Sequence, residues 1–223
     1  MTNLASAQHL AQSKLQLPVS AYFDAELYQR ELDLLFKQGP GYVGHELMVP
    51  DIGDYQTLSA ENEGRVLIRN DQGIELLSNV CRHRQAILLQ SKNGHATGQG
   101  HTGNTIVCPL HRWTYATDGQ LLGAPHFQHD PCLNLQNYPL QEWNGMLFEA
   151  NGRDVSADMA ALGPHKQLDF TGYALDHVEM HVCNYNWKTF IEVYLEDYHV
   201  GPFHPGLGNF VTCEDLQWQM GDH

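Results

Sequence analysis

The sequence predicts an α+β protein in three parts: a helical segment at 1–40, an antiparallel β domain at 41–152, and the start of a further domain at 153–223. Three observations predict it. Tyr28, Leu32, Leu35 and Phe36 recur at helical spacing. Short β-prone runs divided by glycine-containing turns fill the next stretch. After Asn151-Gly152 the texture changes again, and a capped helix signal begins at Asn186.

The composition is that of a packed protein, with 42% hydrophobic and 10% aromatic residues among 223. Its formal net charge of -14, from 12 basic against 26 acidic residues, excludes nucleic acid and anionic membrane as partners, since both require a basic surface. An acidic face suits a basic redox partner. Residues 1–20 contain no continuous apolar run of the signal-peptide kind, and no stretch is long enough to span a bilayer. Cys81, Cys108, Cys132, Cys183 and Cys213 are odd in number and widely spaced, which argues against a disulfide framework and for a reducing, cytoplasmic setting.

In chain order, residues 1–20 read as a lead-in ending near Pro18. Asp24 caps a helix at 24–37, with Glu26 in its first turn and Gly39-Pro40 as its stop, and the apolar stripe gives it one buried face. Val66–Arg69 and Ile74–Leu77 flank the turn-rich Asn70-Asp71-Gln72-Gly73 and form a hairpin. Thr105–Cys108 and Met146–Glu149 are further strands. Residues 91–104 hold four glycines and no apolar pattern, and read as a solvated loop. The segment 153–170 is connecting structure. His177–Val182 alternates like a half-buried strand, and Asn186 caps a helix that runs toward His199 and stops at Gly201-Pro202.

Two motifs carry the chemistry: Cys81-Arg82-His83 and Cys108-Pro109-Leu110-His111, each placing a thiolate and an imidazole on one tight loop. A Rieske-type [2Fe–2S] cluster takes two cysteine sulfurs on one iron and two histidine nitrogens on the other, so each loop would serve both irons. Structural zinc also accepts two Cys and two His, although zinc sites usually present like ligands in pairs. His95 and His101 lie in the glycine-rich loop with no paired cysteine and are not read as ligands.

The flanking residues resemble the Rieske non-heme iron oxygenases, whose large (alpha) subunits show C-x-H-R and then C-P-x-H-x-W-x-Y-x-x-D-G-x-L. The stretches here are CRHR at 81–84 and CPLHRWTYATDGQLLGAP at 108–125. The resemblance implies that Trp113 and Tyr115 pack against the ligand loops and that Asp118-Gly119 turns the following hairpin. Gln85 stands where the family has glycine, and the glycine-rich loop makes the gap between the two motifs longer than is common.

Residues 186–207 read NWKTFIEVYLEDYHVGPFHPGL. His199 and His204 can supply two corners of a two-His-one-carboxylate Fe(II) site, and Glu192, Glu196 and His199, at spacings of four and three, share one helix face. The family shows N-W-K, a carboxylate, then Y-H and a second histidine. The resemblance therefore implies His199 and His204 as ligands of a mononuclear Fe(II). It implies Glu196 as the bridge that carries electrons from the Rieske histidine of a neighbouring subunit, with Asp197 directed elsewhere. Glu192 could orient the histidines from behind. The family's third ligand, a carboxylate, lies far downstream, and Glu214, Asp215 and Asp222 follow His204 too closely to match it, which reads as a partial chain.

The resemblance further implies that the second half begins a mixed α/β catalytic domain of the helix-grip type. It implies electrons from an NAD(P)H-dependent reductase, directly or through a ferredoxin, and insertion of oxygen from O2 by mono- or dioxygenation. The assembly would be a homotrimer or α3β3. Substrates in the family are aromatic or amine compounds, and the stretch YLEDYHV with glutamate as bridge is also similar to members acting on quaternary amines. The rival from another class is a Rieske electron-transfer protein without its own catalytic iron, against which the NWK…YH…H block argues.

Overall fold

A computed structural model describes residues 17–90, 98–160 and 168–210. The chain forms two compact units: Leu32–His181, and Val182–His223 together with Met1–Glu31. The expectations at His95, Cys213, Glu214, Asp215 and Asp222 lie outside the described residues.

In the chain's first turns, Asp24 Oδ1 accepts from the backbone N–H groups of Glu26 (2.9 Å) and Leu27 (3.0 Å) and so starts α1, Ala25–Glu31. The helix is shorter than the sequence predicts. It gives way to a π-type turn at Leu32–Phe36, in which the Lys37 N–H donates to Leu32 O at 2.9 Å. The apolar stripe is not buried either: Tyr28, Leu35 and Phe36 are 43%, 53% and 48% exposed. Periodicity records that a face is apolar, whereas burial needs a neighbouring element to cover it.

The larger unit is built from antiparallel strands: β1 (Gly41–His45), β2 (Asp54–Thr57), β3 (Arg65–Arg69), β4 (Ile74–Ser78), β5 (Gln99–His101), β6 (Thr105–Val107), β7 (Thr114–Ala116), β8 (Leu121–Gly123), β9 (Asn137–Tyr138), β10 (Leu140–Trp143) and β11 (Met146–Glu149). They make three sheets, ordered β1-β11-β10, β5-β2-β3-β4-β9 and β6-β7-β8. The predicted β3–β4 hairpin is present, in register from Arg65↔Ser78 to Arg69↔Ile74. Its turn is closed by Asn70, whose Oδ1 accepts from the N–H groups of Gln72 (2.8 Å) and Gly73 (3.0 Å).

β3 is central, and its alternation serves two cores. Val66 and Ile68 face the cluster of Tyr55, Leu77, Ile106, Trp113 and Tyr115, while Leu67 faces that of Val49, Leu76 and Leu147. Leu67, Ile68, Leu76 and Leu77 are all fully buried, as a strand covered on both faces requires. Cys81 and Cys108 belong to the first of these cores.

Two expectations are corrected here. The glycine-rich stretch is not all loop, because Gln99–His101 pairs with β2 in the register Asp54↔His101, Tyr55↔Gly100, Gln56↔Gln99. Gly100 lies against the Tyr55 ring, where a Cβ would come within 2.3 Å of it, so the glycine permits the approach. The predicted strand at His177–Val182 is absent. No strand is formed at these residues, and Met180 and Val182 are 54% and 94% exposed. Within 153–170, Asp154 caps α2, Val155–Met159, by accepting from the Ala157 N–H at 3.1 Å.

In the smaller unit, Asn186 caps α3, Trp187–Tyr194, by accepting from the Lys188 N–H at 3.0 Å. α3 is joined to α1 through Glu31, which accepts from Trp187 Nε1 at 2.9 Å and from Lys188 Nζ at 2.7 Å. α3 stops at Tyr194 rather than near His199, and a short helix α4, Val200–Phe203, follows. Among the described residues no helix is long and apolar enough to cross a membrane.

Candidate metal centres

The two Cys-His loops are built alike. The Cys81 N–H donates to Ala86 O at 2.9 Å, and the Gln85 N–H donates back to Cys81 O at 2.9 Å. In the second loop the Cys108 N–H donates to Trp113 O at 2.8 Å, and the Arg112 N–H to Cys108 O at 3.1 Å. The fifth residue of each loop is left-handed, Gln85 at φ 57° and Arg112 at φ 62°. That conformation accounts for glycine in the family at the first of these positions, since only glycine adopts it without steric cost.

The loops differ in how their bases are held. The second hangs from the β6–β7 ladder, Val107↔Thr114. The first has only the isolated bridge Val80↔Ile87, and Asn79 reinforces it. This fully buried side chain donates through Nδ2 to Leu89 O (2.8 Å) and Glu63 O (2.9 Å), and accepts from the Leu89 N–H at 2.9 Å. Sequence reasoning missed Asn79. The one available signal was a polar residue in an apolar strand end two places before Cys81.

Both thiols are buried, at 1% exposure each, and neither is in a disulfide. The buried Tyr115 hydroxyl accepts from the Arg82 N–H at 3.1 Å, which leaves its own proton for Cys81 Sγ, 3.5 Å away. Burial first, and then the Cys81 contact, pushes the Tyr115 phenol well up. The His83 and His111 rings meet at 4.8 Å, and His83 stacks on Trp113. Burial, followed by the neighbouring His111 and Arg84, pushes the His83 imidazole down toward its neutral, ligating form.

These residues fit a two-iron cluster. His83 Nδ1 is buried with no hydrogen-bond partner, as a nitrogen reserved for a metal is. Among the described residues no three His, Cys, Asp or Glu side chains converge on one point.

The second constellation lies in the smaller unit. Glu196 Oε1 and His199 Nδ1 are 2.6 Å apart, which fixes the ring and leaves its Nε2 for a metal. The other Glu196 oxygen accepts from the backbone N–H groups of Tyr198 and His199, and these bonds turn the chain where the sequence predicts continued helix. His199 holds the Glu196 carboxyl below the usual carboxylate range. The His199 and His204 rings lie 5.4 Å apart at 78°, separated by α4. The shared helical face of Glu192, Glu196 and His199 does not form, because α3 ends first. Nor does Glu192 orient a histidine, since it accepts from the Tyr22 hydroxyl. A cavity of about 760 Å³ lined by Glu46, Arg69, Glu142, Phe170 and Tyr173 includes none of the predicted site residues.

Residues 41–139 match the Rieske [2Fe-2S] domain, and residues 159–223 match the catalytic domain of the ring-hydroxylating alpha subunit. The chain belongs to the Rieske non-heme iron oxygenase alpha subunits. The first domain carries a [2Fe–2S] cluster, and the second is of a family that uses a mononuclear iron. A pure Rieske electron carrier would lack the second match.

The chain is 64% identical over 222 residues to putrescine 2-hydroxylase of Ralstonia nicotianae, covering 100% of this chain and 58% of that protein. It is 56% identical to putrescine 2-hydroxylase of Bordetella bronchiseptica, covering 100% and 53%. It therefore spans little more than half the length of these relatives. Among solved structures it is similar to a quaternary ammonium Rieske monooxygenase, with a TM-score of 0.71 at 25% identity, covering 88% of this chain and 56% of that one. Naphthalene 1,2-dioxygenase from Rhodococcus sp. shares the fold, with a TM-score of 0.70 at 23% identity, covering 92% and 49%.

Proposed function

We propose that the protein is the terminal oxygenase component of a Rieske system and that its substrate is an amine, with aliphatic diamines first among them. The paired loops carry the reading: two buried thiols, and His83 Nδ1 kept free of any hydrogen bond. The identity with two putrescine hydroxylases supports the amine over an aromatic substrate.

In this reading Cys81, His83, Cys108 and His111 hold the cluster, and His199 and His204 hold the mononuclear iron, with the remaining carboxylate ligand supplied from outside the described residues. When bound, the cluster passes single electrons onward and the iron activates O2 for insertion into the substrate. Tyr115 donates a hydrogen bond to Cys81 Sγ, Trp113 keeps water from His83, and Glu196 orients His199 and receives the neighbouring subunit's cluster histidine. The domain division proposed is 1–40, 41–152 and 153–223. Electrons come from an NAD(P)H-dependent reductase or ferredoxin, and the assembly is a homotrimer or α3β3 in the cytoplasm.

The test is metal and sulfide content of the anaerobically purified full-length protein, with EPR of the reduced sample. Three irons and two acid-labile sulfides per chain, with a Rieske signal, is the expected result. His199→Ala should lose one iron and keep both sulfides. Zinc without sulfide overturns the reading. Turnover with putrescine, carnitine and salicylate side by side then decides the substrate, and product from salicylate alone overturns the amine assignment.

A further inference from the structure

Within the smaller unit, two residues of the N-terminal segment grip α3 at both ends. At its start, the buried Lys188 Nζ donates to both oxygens of Glu31 at 2.7 Å, and Trp187 Nε1 donates to one of them at 2.9 Å. The same ammonium lies 5.2 Å from the Trp187 ring and 5.9 Å from the Tyr22 ring. Further along, the Tyr22 hydroxyl donates to Glu192. Tyr22 O accepts from the Asn186 side chain at 3.2 Å, so this residue is bonded at the cap of α3 and again about 9 Å along its axis.

A buried ion pair adds little net stability over apolar side chains of the same volume, because both charges give up water. What it restricts is placement. The Glu31 carboxylate must face two donors at once, and Tyr22 must reach two points on α3, so sliding or rotating the helix breaks bonds at one end or the other.

The chain beyond α3 transmits that placement. The Leu195 N–H donates to Ile191 O at 3.0 Å and to Glu192 O at 3.2 Å. Glu196 follows directly, and its carboxylate binds the Tyr198 and His199 N–H groups and the His199 ring. The Val200 N–H donates to Asp197 O at 3.0 Å, and the His204 N–H to Val200 O at 2.8 Å. From Glu192 to His204 each turn is hydrogen-bonded to the one before, and a shift of α3 carries Glu196, His199 and His204 with it.

We propose that Tyr22 and Glu31 are positioning residues for the mononuclear iron site, clasping α3 so that Glu196, His199 and His204 are held in one place. This rests on the reading that His199 and His204 hold the iron. Neither clasp residue is a ligand, and both act through α3. The N-terminal segment thereby serves the iron site and not the cluster loops.

The test uses the full-length protein, loaded anaerobically with cluster and Fe(II). Tyr22→Phe removes a single oxygen, and Glu31→Gln removes the charge that faces Lys188. Release of the mononuclear iron into a ferrous chelator should be about two- to tenfold faster in Tyr22→Phe, the worth of one net hydrogen bond, and faster again in Glu31→Gln. Glu31→Asp, which keeps the carboxylate, should release iron more slowly than Glu31→Gln. With nitric oxide as an EPR probe of the ferrous site, the signal should broaden in Tyr22→Phe and Glu31→Gln, as the histidines take up more than one placement. The Rieske EPR signal should keep its intensity in every form. Iron release unchanged in both variants overturns the proposal, and unchanged in one removes that residue from it. Parallel loss of cluster and iron also overturns it, by making the clasp a general contribution to stability. A mononuclear iron missing from the unaltered protein overturns the reading of His199 and His204 itself, and iron analysis of that protein distinguishes the two failures.

Discussion

The imidazole of His83 lies almost parallel to the indole of Trp113, 6° apart, with the ring centroids at 5.0 Å. Trp113 is 1% exposed and its Nε1 has no partner, so the ring is held by packing and not by a hydrogen bond. Trp113→Ala should therefore cost about 3–5 kcal/mol in urea unfolding and lower cluster retention. Trp113→Phe keeps an aromatic face and removes the orphaned N–H, and should cost clearly less. Equal losses for the two would show that stacking on His83 contributes nothing.

The Tyr115 hydroxyl lies 3.5 Å from Cys81 Sγ, to which it donates once Cys81 is a thiolate ligand, and hydrogen bonds to a cluster sulfur favour the reduced, more negative state. Tyr115→Phe should lower the cluster midpoint by roughly 20–60 mV, a net hydrogen bond of about 0.5–1.5 kcal/mol converted at about 59 mV per tenfold for one electron. An EPR-monitored redox titration measures it.

Gln85 is left-handed at φ 57°. Gln85→Gly removes a steric cost of about 1–2 kcal/mol and adds about 0.5–1 kcal/mol of unfolded-chain entropy, so a small net stabilisation is expected. Calorimetry should show the melting temperature rising by roughly 2–4 °C. Gln85→Val should lower it.

Asn79→Ala leaves Leu89 N–H, Leu89 O and Glu63 O without their partner in a buried place. A loss of about 2–5 kcal/mol is expected in chemical denaturation. Asn79→Asp retains the acceptor for the Leu89 N–H but sets a second oxygen against the Leu89 and Glu63 carbonyls in a buried place, and should cost at least as much as Asn79→Ala.

Glu31 is held below the usual carboxylate range, first by its hydrogen bond from Lys188 and then by that from Trp187. A lowered folded value means the unfolded chain binds the proton more readily. The pair's stabilisation is thus complete above the ordinary carboxylate pKa and is lost as pH falls through Glu31's lowered value. Trp187 fluorescence should report this acid transition, and Glu31→Gln should flatten it. Lys188→Met, which leaves the largely buried Glu31 without its cation, should be the more damaging change at neutral pH.

What was legible in the sequence is what a few neighbouring residues decide. The ligand loops, the hairpin at 65–78 and the caps at Asp24 and Asn186 are local: a Cys-x-His spacing, an Asn-Asp-Gln-Gly turn or a capping side chain needs no distant partner to be specified. The packing of Trp113 and Tyr115 against the ligand loops came from the resemblance of 108–125 to the family's motif, not from their spacing.

What only the tertiary structure decided is partnership across long separations. Helical spacing at 24–37 and alternation at 177–182 marked apolar faces but not what covers them, and those faces remain open. Gln99–His101 became a strand because β2 offered it an edge and Gly100 could approach Tyr55. Asn79 holds Leu89 and Glu63, Glu31 holds Lys188, and Glu196 turned the chain before His199 by taking over its backbone N–H groups. By itself the sequence determined which donor atoms are present and which share a loop. Only the fold decided which nitrogen is left without a hydrogen bond and which carboxylate meets Lys188, because both depend on which groups the packed chain brings within reach.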